Sequence, residues 1–190
     1  MSAPGAHAYR VVDREEPFVG AIFTVVTEEV TMPGGGTARR DYTHHHGAVA
    51  VVALDEQGRA VLVRQYRHPV GEVLWELPAG LLDLADEPAI SAAQRELAEE
   101  VDLTARRWDK LIDVFPSPGT SDERIQVFLA RDLAEVPDGE RHQREHEEAD
   151  LVVARIDLDQ AVTMALRGEI INGAAVAGLL AAARVRDLGG

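Results

Sequence analysis

The stretch from Gly80 to Leu103, GLLDLADEPAISAAQRELAEEVDL, has the spacing G-x6-E-x7-R-E-L-x-E-E-x-x-L. A helix over residues 90–101 places Glu96 and Glu100 four apart and Glu96 and Glu99 three apart, on one face. Three carboxylates on one face repel each other, and an isolated helix gains nothing from that arrangement. Hard divalent cations resolve the conflict, because Mg2+ takes oxygen ligands and leaves room for substrate phosphates. The competing reading is a solvated acidic face, the usual fate of Glu on a helix. It leaves the rest of the spacing unexplained. Arg95 can pair with Glu87 or with Glu99, four residues on, which gives Glu87 a structural role.

A chain of 190 residues suits one domain and buries roughly 70% of its unfolded surface. Hydrophobic residues make up 46% and charged residues 27%, the balance of a globular protein. The lack of cysteine excludes disulfide and thiolate chemistry and fits a reducing compartment. The start, MSAPGAHAYRVVDREEP, has neither a basic opening nor an apolar core, and no apolar run approaches the ~20 residues that span a bilayer. A cytoplasmic location is expected. The net charge of −14 argues against nucleic acid or an anionic membrane as the main partner. It also repels an anionic substrate, and bound divalent metal would supply the missing positive charge.

Gly20–Val30 and Thr37–His44 read as strands joined by the turn Met32-Pro33-Gly34-Gly35-Gly36. Ala48–Leu54 and Ala60–Tyr66 flank Asp55-Glu56-Gln57-Gly58 as a second hairpin, and their continuous apolar character predicts a buried central sheet. Val73–Leu77, Trp108–Phe115 and Ile125–Ala130 read as further strands, and residues 138–150 as a solvated loop. Leu158–Arg167 and Ala174–Arg186 carry helical periodicity, with Gly168 ending the first. Among His44, His45 and His46, strand geometry turns the middle residue away, which disfavours one compact metal site. They read as strand residues near a dimer surface.

The stretch Gly80–Leu103 resembles the signature box of the Nudix hydrolases, which cleave nucleoside diphosphates linked to another group. Two positions depart from the box. Six residues rather than five separate Gly80 from Glu87, read as a one-residue loop extension with Asp86 at the regular place. Asp102 stands where the box carries Gly to end the helix in a left-handed conformation, which Asp tolerates better than most residues. The resemblance implies an α/β fold, the Nudix-type α/β/α sandwich with a mixed sheet and an N-terminal antiparallel hairpin region. Residues 1–45 would be N-terminal strands that dimerise, and 46–190 the hydrolase domain. The implied metal ligands are Glu96, Glu99, Glu100 and the backbone carbonyl of Ala79, holding Mg2+ with Mn2+ as a substitute. Glu100 also counts among the catalytic groups.

Within the family the chain is similar to the ADP-ribose branch. The run His146-Glu147-Glu148-Ala149-Asp150 resembles the loop that supplies that branch's catalytic glutamate. Glu148 is then the expected general base or metal-bound partner, with Glu147 the alternative; a merely solvated charge run competes with both. Pro118 lies fifteen residues beyond Leu103 in a Pro-Gly-Thr-Ser context that marks ADP-ribose hydrolases, although an ordinary turn would look the same. Gln65-Tyr66-Arg67, Trp75-Glu76-Leu77-Pro78-Ala79-Gly80 and Gly168-Glu169-Ile170-Ile171-Asn172 resemble the same branch. Arg67 is the natural diphosphate contact, and Glu76 and Glu123 are further substrate candidates. Phe23 stands where the branch stacks adenine, a core Phe being an equal reading. The implied reaction is Mg2+-dependent hydrolysis of ADP-ribose to AMP and ribose 5-phosphate by a homodimer that exchanges its N-terminal strands. The alternatives are another nucleoside diphosphate-sugar, a dinucleoside polyphosphate, or a non-catalytic ADP-ribose sensor.

Overall fold

The computed structural model describes residues 8–143 and 151–189, and its chain forms two compact units. The first runs through His46 and includes the segment Ser117–Glu123; the second comprises Gly47–Pro116 and the chain from Arg124 onward.

In the first unit, β1 (Val11–Val19), β2 (Phe23–Thr31) and β3 (Thr37–His45) form an antiparallel sheet in that order. The β2–β3 hairpin holds an unbroken register from Phe23↔His45 to Thr31↔Thr37, as the alternation around the Pro-Gly-Gly-Gly turn predicts. β1 is the unexpected element. Its Asp-Arg-Glu-Glu run and Pro17 disguise it, and its pairing with β2 slips twice, once between Glu15 and Phe18 where proline has no N–H to donate. An edge strand tolerates that interruption.

The second unit is built on β4 (Ala48–Ala53), whose six residues are all buried. β4 pairs parallel with β9 (Ile125–Glu135) and antiparallel with β7 (Ala79–Leu81), and β9 pairs with β8 (Leu103–Val114), giving the mixed sheet β7-β4-β9-β8. A second sheet places β5 (Arg59–Arg67) between β10 (Val152–Asp157) and β6 (Glu72–Glu76). The expected hairpin of Ala48–Leu54 with Ala60–Tyr66 is therefore not a ladder. β4 and β5 lie in different sheets, and the isolated bridge Leu54↔Ala60 joins the chain just past β4 to the start of β5. Both edges of each strand are already occupied, so neither has backbone groups left for the other.

Among the described residues three α-helices cover the sheets of the second unit: α1 (Ala89–Val101), α2 (Leu158–Leu166) and α3 (Gly173–Asp187). Val49, Val51 and Ala53 pack with Ala93, Leu97 and Val101 of α1. The opposite face, Ala50 and Val52, packs with Ala175, Leu179 and Ala182 of α3. The alternation of β4 thus divides the core into two halves and makes the α/β/α sandwich. α3 approaches closely because it carries Gly178, where an added Cβ would stand 2.9 Å from Leu77 and 3.1 Å from Val52. Among the described residues no helix is long and apolar enough to cross a membrane.

Candidate active site

The box helix begins after Pro88, whose carbonyl accepts from the amides of Ser91 (2.8 Å) and Ala92 (3.1 Å). It ends at Asp102, which adopts the left-handed conformation (φ 56°, ψ 36°), as expected where the box carries Gly. The loop extension is absorbed by Asp86, also at positive φ (62°), so that Glu87 meets the helix in register. Glu87 receives two bonds from Arg95, Nη2 at 3.0 Å and Nε at 3.3 Å. The same guanidinium reaches Glu96 at 2.6 Å and Glu99 at 3.3 Å. Its pKa is raised above the ordinary arginine value, first by the hydrogen bond to Glu87, with the charge of Glu96 adding to it. Three carboxylates therefore converge on one cation.

Glu96 and Glu100 lie on the face of α1 that also buries Ala93 and Leu97, with 9% and 4% of their surface exposed. Burying carboxylates costs free energy unless they are partnered. Glu100 accepts the amide N–H of Ala79 at 2.9 Å. Glu96 sits against Gly80 so closely that a Cβ there would lie 2.0 Å from its carboxyl carbon. The glycine of the box is thus the residue that admits a carboxylate to the backbone of β7. The Ala79–Gly80 backbone and the carboxylates of α1 bring together hard oxygen donors in excess over Arg95, a donor set that fits a divalent cation. Among the described residues no group of three or more His, Cys, Asp or Glu side chains is already placed to hold a metal ion; Glu96, Glu99 and Glu100 each accept from a protein donor instead.

On the second sheet, Arg67 forms a two-pronged pair with Glu76, Nε–Oε1 at 2.9 Å and Nη2–Oε2 at 2.7 Å. Glu76 is 2% exposed whereas Arg67 keeps nearly half of its side chain in solvent, so the carboxylate holds and aims a guanidinium that reaches the surface. Gly168-Glu169-Ile170-Ile171-Asn172 has a structural explanation. Gly168 (φ 76°) follows α2, Ile170 is buried, and Asn172 caps α3 by accepting from Ala175 N–H at 3.0 Å.

The first unit contains Phe23, Pro118 and Glu123. Phe23 is not a core residue: it is 41% exposed, and its ring lies 6.0 Å from that of Phe18. Ser117–Glu123 is tied to β3, Thr43 N–H donating to Thr120 O (2.9 Å) and Asp122 N–H to Thr43 O (3.2 Å). Pro118 stands exposed at its tip. Two of the three consecutive histidines are engaged by Asp122. His44 Nδ1 lies 2.6 Å from Asp122 Oδ2, and the amide of His45 donates to Asp122 Oδ1 at 2.9 Å. Burial opposes ionisation of Asp122, but the bonds from His44 and the His45 amide override it and hold the carboxyl below its usual range. Nothing local marks this pairing in the sequence, since 78 residues separate the partners. Glu147 and Glu148 lie outside the described residues.

The model of the NUDIX domain matches residues 44–176. The chain is 47% identical over 175 residues to a Mycobacterium tuberculosis protein named ADP-ribose pyrophosphatase, covering 92% of this chain and 83% of that one. It is 33% identical over 164 residues to a Bacillus subtilis protein of the same name, covering 86% of each. A solved structure described as an ADP compounds hydrolase superposes with a TM-score of 0.81 over 99% of both chains at 20% identity, which speaks for the fold. The matched segment contains the whole box and its Gly80 contact, and the chain belongs to the NUDIX domain family.

Proposed function

We propose that this Nudix hydrolase cleaves the diphosphate of ADP-ribose, adding water to give AMP and ribose 5-phosphate. The observation that carries this reading is the packing of the Glu96 carboxylate on Gly80 beside the Glu100–Ala79 contact, in a chain whose relatives are named for ADP-ribose. The family works with a divalent metal, and Mg2+ is the proposed ion, with Mn2+ as a substitute. Glu96, Glu99, Glu100 and the Ala79 carbonyl would hold it. When bound it neutralises diphosphate charge and acidifies water. Arg95 keeps Glu96 and Glu99 of α1 gathered, and Arg67, aimed by Glu76, contacts the diphosphate. Glu148, or Glu147 in its place, orients and deprotonates the attacking water. Phe23, Pro118 and Glu123 contact the nucleotide-sugar. Two copies associate through the N-terminal strands, to which the exposed Val11, Val12, Phe18 and Val19 of β1 lend apolar surface. Hydrolysis in 18O-labelled water tests the chemistry: mass analysis should find AMP and ribose 5-phosphate with one label on a single product. Release of inorganic phosphate or of free ADP would refute it.

A further inference from the structure

Ser117–Glu123 contributes no residue to the buried apolar core, so hydrogen bonds rather than packing fix its position. Most of those bonds run between backbone or hydroxyl groups and Thr43: Thr120 O accepts from Thr43 N–H, and Ser121 Oγ donates to Thr43 O at 3.3 Å. Asp122 differs. One carboxylate spends its two oxygens on two consecutive residues of β3, Oδ2 facing the His44 ring at 2.6 Å and Oδ1 accepting from the His45 amide at 2.9 Å. His45 is the register partner of Phe23, and its Nδ1 lies 4.0 Å from the Glu123 carboxylate. A single side chain thus ties together the strand pair bearing Phe23 and the loop bearing Pro118 and Glu123.

We infer that Asp122 is a positioning residue that locks the Ser117–Glu123 loop onto β3 and thereby sets the substrate contacts of Pro118 and Glu123. The inference rests on the reading that this loop meets the nucleotide-sugar. His44 and Asp122 are each about half exposed, and exposed pairs of this kind add little to folding stability. Their effect falls on loop order before substrate arrives. A pre-ordered loop spares the ordering cost of binding, whereas an unlocked one incurs it with every substrate.

The Asp122→Ala variant should raise KM for ADP-ribose about tenfold while kcat and the Mg2+ activation constant stay within about twofold. Amide hydrogen exchange should quicken at Thr120–Glu123 and not in β4. Asp122→Asn keeps an acceptor for the His45 amide and a hydrogen-bonding group for His44, so it should restore most of the wild-type KM. His44→Ala should be milder, and His44→Ala/Asp122→Ala no worse than Asp122→Ala alone. An unchanged KM in Asp122→Ala overturns the lock, as does a fall in Tm and kcat that Asp122→Asn fails to rescue. If the wild type does not turn over ADP-ribose, the functional reading fails by itself. The same variants then test the lock on whichever diphosphate is cleaved, and unchanged KM there overturns it too.

Discussion

The two units hold their candidate residues by different physics. In the second, Glu96 and Glu100 are buried between a helix and a strand, and their positions follow from the core that fixes α1 against β4. In the first, Phe23, Pro118 and Asp122 are exposed and held by a hairpin ladder and a few hydrogen bonds. Chemistry that needs carboxylates placed to a fraction of an ångström sits on packed elements. Recognition, which differs among members of one fold, is commonly carried by surface segments whose alteration leaves the core intact. Variants of the α1 carboxylates should therefore cut turnover, and variants of the first unit should change affinity and preference.

The largest effect expected is that of Gly80→Ala. The added Cβ would stand 2.0 Å from the Glu96 carboxyl carbon and oxygen, so Glu96 must leave its place. Activity should fall by more than about a hundredfold, and overpacking should cost about 1–3 kcal/mol in urea unfolding. Retained activity would mean that the packing of Glu96 on the Gly80 backbone has no part in the chemistry.

Next come Glu99→Gln and Glu100→Gln, each expected to lower kcat by about a hundredfold while metal-free stability holds or rises, since one negative charge is removed from the carboxylates crowded on α1. Glu148→Gln should lower kcat by a similar order, leave KM and the Mg2+ activation constant nearly unchanged, and recover partly at high pH. Glu147→Gln should be milder. If the two exchange severity, Glu147 is the base.

Arg95→Lys should act mainly on stability, lowering it by about 1–3 kcal/mol, because an ammonium cannot serve the pronged contact with Glu87 and reach Glu96 as well. Thermal unfolding checks this. In the first unit, Phe23→Ala should raise KM about threefold to tenfold with kcat unchanged, the loss of one stacked ring.

The smallest effect is that of pH on stability, and it should be shared. Asp41 in the first unit is held below the ordinary carboxylate range by the Thr27 hydroxyl and then Arg39. In the second, burial opposes the charge of Asp55, yet bonds from the Arg59 amide and side chain override it. A depressed folded pKa contributes stability above the unfolded value of about 3.9 and loses it as pH falls through the folded value. Tm should hold steady toward pH 5 and decline below about pH 4.

What the sequence showed depended on how local the cause was. The helix, its left-handed end at Asp102 and the service of Arg95 to Glu87 were legible because each partner lies within a few turns. β1 escaped because Pro17 and its charges mask a strand that only its neighbour β2 defines. The partition of β4 and β5 into separate sheets escaped because apolar runs do not state which edge they pair with. The contact of Glu96 with Gly80 and the bond of His44 to Asp122 depend on segments brought together by the fold. Only the spacing of the box hinted at the former, and nothing hinted at the latter.

A competition assay tests most directly whether recognition in this chain favours ADP-ribose. Equimolar ADP-ribose, ADP-glucose, GDP-mannose and diadenosine polyphosphate are mixed with the purified protein and Mg2+, and initial consumption of each is read by mass spectrometry. The ratios of the initial rates are the ratios of kcat/KM. ADP-ribose should disappear first. First consumption of GDP-mannose or of the polyphosphate would contradict the account while leaving the fold and the box helix in place.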